Sequence, residues 1–410
     1  MNNKFIFEKF IKMKTPKGTR DSDPNTERLR QEILKDCERI FALFDAKRMD
    51  TPSFELYDIL IKEKEDKEIF ILENKKDSGE KCGLRYDLTV PFSRYVKMNN
   101  IKYMKRYQIG KVFRRDKPSP GRYREFTQCD YDCLGNNNST LTDIETLQIL
   151  NMLFKNLKEK FNLPNYIIRI NSREILQDIM IKSGIPEDLF STICSSIDKL
   201  DKCDWKEVSI EMSNKGLSEK SINILQNILF GNEKIDTESI DKILKLDIPV
   251  KLDLTLARGL SYYSGLIFEV VLQDQKSLSI SGGGRYDNLC GIPCIGFSLG
   301  IDRIIDYVKY DFSQTIKVYV VEMNKQNKNE ITDYRMKIAM TLRENNIPTS
   351  TSIKNKTVVK KEIAYASDDK IPYVILIGEE EYNTNTILIK NLETKEQKNF
   401  NLDEMLNFFF

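Results

Sequence analysis

Residues 105–135 read KRYQIGKVFRRDKPSPGRYREFTQCDYDCLG, and the fold turns on them. Two runs rich in aromatic and β-branched residues flank an interruption at Lys117-Pro118-Ser119-Pro120-Gly121. Proline and glycine there end one strand and precede the next, so 101–134 reads as two antiparallel strands joined by an extended loop. A strand sends alternate side chains to opposite faces. By that rule Phe126, Gln128, Asp130 and Asp132 share one face, and Arg114 closes the first strand. The earlier segment Arg85-Tyr86-Asp87-Leu88-Thr89, measured with the same period, sets Arg85, Asp87 and Thr89 on one side. Acids, an amide and arginines in register have two readings. One is a solvated outer sheet face. The other is the polar floor of a pocket for a zwitterion or nucleotide.

Local charge favours the second. Lys97 to Arg124 holds ten Lys/Arg against one acid, Asp116, whereas the whole 410-residue chain carries a formal charge of only +2. Any nucleic-acid surface must therefore be local. Tyr103, Tyr107, Phe113 and Tyr123 interleave with the cations, which points to an anionic ligand such as a nucleotide or RNA backbone.

Moving outward, Leu29, Ile33, Leu34, Cys37, Ile40, Phe41 and Phe44 form a helical stripe within 25–47, and 141–161 is helical again. From 172 to 248 short helices (172–183, 187–200, 218–230, 236–246) are punctuated by Gly184-Ile185-Pro186, Lys215-Gly216 and Gly231-Asn232. Strands return at 251–256 and 262–273, followed by the glycine run Ser281-Gly282-Gly283-Gly284-Arg285. Three glycines mark a turn or a strand that a ligand approaches closely. Beyond a boundary at 311–316, strands and helices alternate as in a small α/β domain, with strands at 317–323, 347–353 and 372–377.

Composition removes several chemistries. The chain contains no histidine, which excludes a Ser-His-Asp device, a His general base and His-ligated metal. Eight cysteines without a CxxC pair read as reduced, buried thiols. Neither GxxxxGK[ST] nor GxGxxG occurs, so no P-loop or dinucleotide fingerprint is present. No apolar run reaches the ~18 residues needed to span a bilayer, so no membrane association is expected. The N-terminal MNNKFIFEKFIKMK lacks the apolar stretch and cleavage site of a secretory signal.

Taken together, these stretches resemble histidyl-tRNA synthetases, class II aminoacyl-tRNA synthetases, of the eukaryotic cytoplasmic type. TPKGTRD (15–21) resembles the start of the catalytic region, TPSFEL (51–56) resembles motif 1, and LRYDLTVPFSRYV (84–96) with 105–135 resembles the motif 2 region. LARGLSYYSG (256–265) and SGGGRYDNL (281–289) look like the two histidine-specific signatures, and GFSLGIDRI (296–304) resembles motif 3. One departure is Ser261, where the family commonly has Asp.

The resemblance implies an α+β protein with an antiparallel class II sheet core over 1–312. A helical insertion at 172–248 would lie on the tRNA acceptor arm, and a mixed α/β anticodon-binding domain would occupy 316–410. It implies activation of L-histidine by ATP with Mg²⁺, transfer to tRNA(His), a homodimer built around motif 1, and a cytoplasmic location. Arg114 would hold the α-phosphate and the histidine carboxylate, and Arg258 would stabilise charge at the α-phosphorus. Asp87, Thr89 and Gln128, with Leu88 among them, would receive the α-ammonium. Asp132 would accept a hydrogen bond from the imidazole, with Tyr262, Tyr263 and Tyr286 around the ring. Asp116 would face the adenine amino group, Phe126 and Arg303 would sandwich the adenine, and Arg122 would reach the γ-phosphate. No resident metal site is expected. The competing reading is a non-catalytic relative that regulates histidine synthesis or senses uncharged tRNA; such relatives usually lose the C-terminal domain and motif residues, and both are present here.

Overall fold

The structure, a computed structural model, describes residues 13–61, 68–72, 80–135, 139–231, 235–257, 263–273, 279–310, 316–323, 329–352 and 358–409. The chain divides into two compact units, Met1–Tyr310 and Asp311–Phe410.

The first unit is built on an eight-stranded sheet. Its strands run, edge to edge, Lys47–Arg48, Met104–Phe113, Glu125–Leu134, Cys294–Gly300, Ser281–Arg285, Leu266–Leu272, Tyr166–Ser172 and Val250–Leu252. The six central strands pair antiparallel, and the two short edge strands pair parallel to their neighbours. Met104–Phe113 and Glu125–Leu134 form the expected hairpin, in a register that sets Arg106 opposite Asp132, Gln108 opposite Asp130 and Gly110 opposite Gln128.

One face of this sheet is packed. The helix Pro24–Leu43 begins at Asp23, whose carboxylate accepts the Asn25 and Thr26 amides, with Pro24 in the first turn. That arrangement satisfies donors a helix start leaves open. Its buried stripe includes Leu29, Ile33, Cys37, Ile40 and Phe41, each side chain contributing about 1.5–3 kcal/mol when removed from water. Phe41 stacks on Tyr107 at 5.2 Å and on Tyr131 at 5.8 Å, and Tyr131 stacks on Phe297 at 5.5 Å. Tyr131 lies between Asp130 and Asp132, so the alternation that buries the ring sends both acids to the opposite face.

The segment 85–89 differs from its expected extended form. The strand ends at Leu84, and a helix spans Thr89–Met98. Asp87 Oδ1 accepts the Val90 amide at 3.0 Å, so this acid caps a helix rather than lining a strand. The buried residues Val90, Phe92, Ser93 and Val96 supply the helical stripe.

Between Ser172 and Val250 the described elements are helical: Arg173–Lys182, Phe190–Ile197, Trp205–Asn214, Glu219–Leu229 and Asp241–Leu244, with two short 3₁₀ turns. The helix at 205–214 was not anticipated; it buries only Val208 and Met212 and leaves Ile210 exposed. A small sheet of Phe54–Leu56, Cys82–Leu84 and Ile71–Leu72 lies apart.

The second unit is a five-stranded mixed sheet. Thr349–Thr351, Val318–Glu322 and Tyr373–Ile377 run parallel, and Thr386–Asn391 and Gln397–Asn401 continue antiparallel. Val318, Val320, Ile338, Leu342, Ile375 and Met405 share its core. Helices at Glu379–Thr384 and Leu402–Phe409 add to the alternation read from sequence. Among the described residues, no helix is long and apolar enough to cross a membrane.

Candidate active site

The open face of the first sheet is a trough whose floor is glycine and whose walls are charged. Register fixes its layout. Asp132 faces Gly296, which faces Gly284; Asp130 faces Ser298, which faces Gly282. A Cβ on Gly296 would come within 2.6 Å of the Tyr131 carbonyl oxygen and 2.8 Å of Asp132 Cγ. One on Gly284 would lie 2.5 Å from the Leu266 carbonyl oxygen and 2.8 Å from the Tyr263 ring. Glycine at these two positions is what lets the Asp132 carboxylate and the Tyr263 ring lie directly against the sheet.

Asp132 is 2% exposed and pairs with the fully buried Arg106, Oδ2 to Nη2 at 2.6 Å. Tyr286 donates its hydroxyl to Asp132 Oδ1. Burial pushes the Asp132 carboxyl up, while Arg106 and Tyr286 oppose that rise. Each carboxylate oxygen keeps a further lone pair for an imidazole N–H. Arg106 is held by Gln108 Oε1 at 2.9 Å and the Leu88 carbonyl at 3.3 Å, and lies over the Phe92 ring at 4.1 Å. Gln108 in turn donates to Asp50 and to Thr51 Oγ1. Arg106 and Gln108 were not singled out by sequence; they belong to the same alternating face, and their cross-strand partners were the available signal.

Tyr263 closes another side. Burial pushes its phenol up, and Asp87, Asp130 and Asp132 add to the shift while Arg114 opposes it. These four charged groups all act on this one phenol. Tyr263, Tyr286, Asp87, Gln128 and Asp132 are thus brought together. Thr89 begins the neighbouring helix and Leu88 is buried at its start. Gln128 Nε2 donates to Ser298 Oγ at 2.7 Å. Arg258 and Tyr262, with Ser261, lie outside the described residues.

The remaining candidates cluster towards the hairpin loop. Arg114 donates Nε to the Tyr86 carbonyl at 3.0 Å, and its guanidinium lies 5.3 Å from the Phe126 ring centroid. Asp116 and Arg122 pair with one another at 2.9 Å. Arg303 donates to the Gly121 carbonyl at 2.8 Å and to the Ser279 carbonyl at 2.6 Å, tying the loop to the sheet.

A clamp absent from the sequence reading supports this end. Asp302 accepts Arg20 and Arg30, each at 3.0 Å, and the Thr127 amide at 2.6 Å. Arg30 also donates to Thr127 Oγ1 at 3.1 Å. Arg303 and Phe126 are the neighbours of Asp302 and Thr127, so the clamp fixes the spacing of the two intended adenine contacts.

Among the described residues, no group of three or more Cys, Asp or Glu is placed to hold a metal ion. All eight cysteines are free thiols. The arrangement suits a ligand with a cationic end over Gln128, Asp130 and Asp132, and an anionic end towards Arg114 and the basic loop.

The histidyl-tRNA synthetase family model matches residues 18–304, and an anticodon-binding domain model matches 317–409. The chain is 35% identical to a probable cytoplasmic histidine–tRNA ligase of Vairimorpha ceranae, over 96% of this chain and 99% of that one. It is 33% identical to a mitochondrial histidine–tRNA ligase of Mus musculus, over 96% of this chain and 87% of that one. The fold matches the crystal structure of a Nostoc histidyl-tRNA synthetase with a TM-score of 0.75 at 24% identity, covering 98% and 100% of the two chains.

Proposed function

The chain belongs to the histidyl-tRNA synthetase family and is a histidine–tRNA ligase; from that premise we propose how its residues divide the work. The observation that carries the assignment is the glycine-floored trough, where Asp132 and Gln128 line one wall and Arg114 lies towards the basic loop.

L-Histidine lies with its imidazole donating to Asp132 and enclosed by Tyr262, Tyr263 and Tyr286. Its α-ammonium meets Asp87, Thr89 and Gln128 beside Leu88. ATP enters as a substrate, with Phe126 and Arg303 about the adenine, Asp116 facing its amino group and Arg122 towards the γ-phosphate. In the structure Asp116 and Arg122 hold each other, so the nucleotide separates a pair that otherwise keeps the loop folded. Mg²⁺ accompanies the phosphates, neutralising their charge.

The histidine carboxylate attacks the α-phosphorus, its new P–O bond forming as the bond to pyrophosphate breaks. No base is required, because the nucleophile is already an anion. Arg114 and Arg258 supply fixed positive charge to the transition state, and guanidinium neither titrates nor loses its bidentate geometry. The terminal ribose hydroxyl of tRNA(His) then attacks the histidyl carbonyl and AMP departs. A pocket of buried polar groups matched to imidazole rejects ligands that leave them unpaired by ~10⁴–10⁵.

We assign adenylation and transfer to 1–312, acceptor-arm contact to the helical insertion 172–248, and anticodon recognition to 316–410. The exposed Phe54, Leu56, Ile71 and Leu72 on the small sheet support a homodimer. Relatives named cytoplasmic support a cytoplasmic location.

The test is ATP–pyrophosphate exchange by purified protein against each of the twenty amino acids. Exchange with histidine alone is expected. Its absence in a folded preparation would transfer the assignment to the non-catalytic, tRNA-sensing reading.

A further inference from the structure

Between Gln128 and Asp132, on the same face of the same strand, lies a second buried acid. Asp130 is 2% exposed. Its side chain is hydrogen bonded to Ser298, which also accepts Gln128 Nε2. The other carboxyl oxygen, Oδ1, has no hydrogen-bond partner, and neither does Gln128 Oε1. An unmet buried acceptor is destabilising, and more so when charged. Here two occur two residues apart, beside Ser298 and Gly282.

Neighbouring groups do not meet this need. Gln108, directly across the hairpin, turns its amide nitrogen to Asp50 and Thr51 and its oxygen to Arg106. Arg106 reaches Asp132. Arg85 gives Nε and Nη1 to the Lys111, Thr51 and Pro52 carbonyls, and acts on Asp130 as a nearby charge. Two acceptors sharing one side of a cleft call for a compact multiple donor, and an ammonium offers three N–H groups and a charge.

We propose that Asp130 is a substrate-binding residue of the amino-acid pocket, taking the ligand's α-ammonium on its open Oδ1 together with Gln128 Oε1. This rests on the reading of the trough as the histidine pocket and adds to it an acid that the earlier assignment left without a role.

A proton accompanies the contact. Burial pushes the Asp130 carboxyl up to about 7; Arg106 opposes this, and Asp132 and Asp87 reinforce it, with the Ser298 hydrogen bond opposing. Arg85 and Tyr263 complete the charged and titratable surroundings. Below neutral pH the empty site holds Asp130 protonated. The arriving ammonium favours the carboxylate, so binding expels the proton to solvent, and affinity rises with pH until about 7 and then levels.

The experiment compares two ligands with the same imidazole. The full chain is titrated calorimetrically with L-histidine and with imidazole-4-propionate, which lacks the ammonium, in buffers of different ionisation enthalpy from pH 6 to 7.5. After subtraction of the titration of each free ligand's own imidazole, histidine should release a proton that imidazole-4-propionate does not. Asp130→Asn should weaken histidine roughly ten- to a hundredfold, leave imidazole-4-propionate unchanged and remove the difference in proton release. Equal weakening of both ligands, or of neither, overturns the assignment while leaving the pocket in place. Should Asp130→Asn not fold, the unaltered protein decides: equal proton release with both ligands, once each ligand's own imidazole titration is subtracted, overturns it. If the unaltered protein binds neither ligand, the histidine pocket itself is refuted, and Asp130 with it.

Discussion

Arg30 Nη2 lies 3.0 Å from Asp302 Oδ1, joining two residues 272 apart in the chain. One belongs to the first helix, the other immediately precedes Arg303. Breaking a buried pair costs about 3–5 kcal/mol when one charge is left alone. Arg20 remains on Asp302, so Arg30→Ala should fall at the lower end, near ~3 kcal/mol. The ATP KM in pyrophosphate exchange should rise more than the histidine KM, because the displaced neighbours, Phe126 and Arg303, are the proposed adenine contacts. Denaturant melts and exchange kinetics on one preparation check both parts.

The same carboxylate predicts an acid limb. Burial pushes Asp302 up, but Arg30, the Thr127 amide and Arg20 more than offset it, leaving the carboxyl below its usual range. A lowered folded value stabilises above the unfolded value near ~4 and loses that contribution as pH falls. Stability curves of the unaltered protein and Asp302→Asn should therefore differ at neutral pH and converge below about pH 4.

Asp132→Asn should raise the histidine KM far more than the ATP KM. It also strips the fully buried Arg106 of its counter-charge, so about 3–5 kcal/mol of stability should go with it. Tyr286→Phe separates the effects: it removes one hydrogen bond to Asp132, costs about 1 kcal/mol and keeps the ion pair. Equal changes in both KM values for Asp132→Asn in folded protein would contradict the imidazole contact.

Gly296→Ala places a methyl group against Asp132 and the Tyr131 carbonyl. Overpacking of this kind costs typically 1–3 kcal/mol. Histidine-dependent exchange should fall at least tenfold while nucleotide binding, measured by fluorescent ATP displacement, stays within about twofold, or ~0.4 kcal/mol, because the methyl meets Asp132 and Tyr131 and none of the proposed nucleotide contacts.

A chain ending at residue 315 should retain histidine activation and lose most tRNA charging. Each unit has its own sheet and core, which supports independent folding. Loss of exchange in a folded truncation would contradict the assigned division of labour.

Sequence patterning exposed the hairpin because aromatic and β-branched residues recur through both ten-residue strands and proline and glycine mark the loop between them. Over five residues a period of two failed: Asp87 and Thr89 alternate in the manner of a strand, yet Asp87 caps the following helix. The helix at 205–214 escaped because two buried residues give a faint stripe. Arg106 and Asp130 were visible only as members of a face. Their importance comes from what opposes them across strands, which local order does not encode. The Arg20, Arg30 and Asp302 clamp is a tertiary relationship with no local signature at all.

The glycine row gives this site an asymmetric relation to mutation. Every substitution at Gly284 or Gly296 adds at least a methyl group, and the atoms already present leave none of that room vacant. Inherited change at the floor can therefore only shrink the chamber. A descendant that acquired a taste for a bulkier amino acid would have to alter its walls, at Asp132, Tyr263 or Tyr286, while the floor stayed as it is.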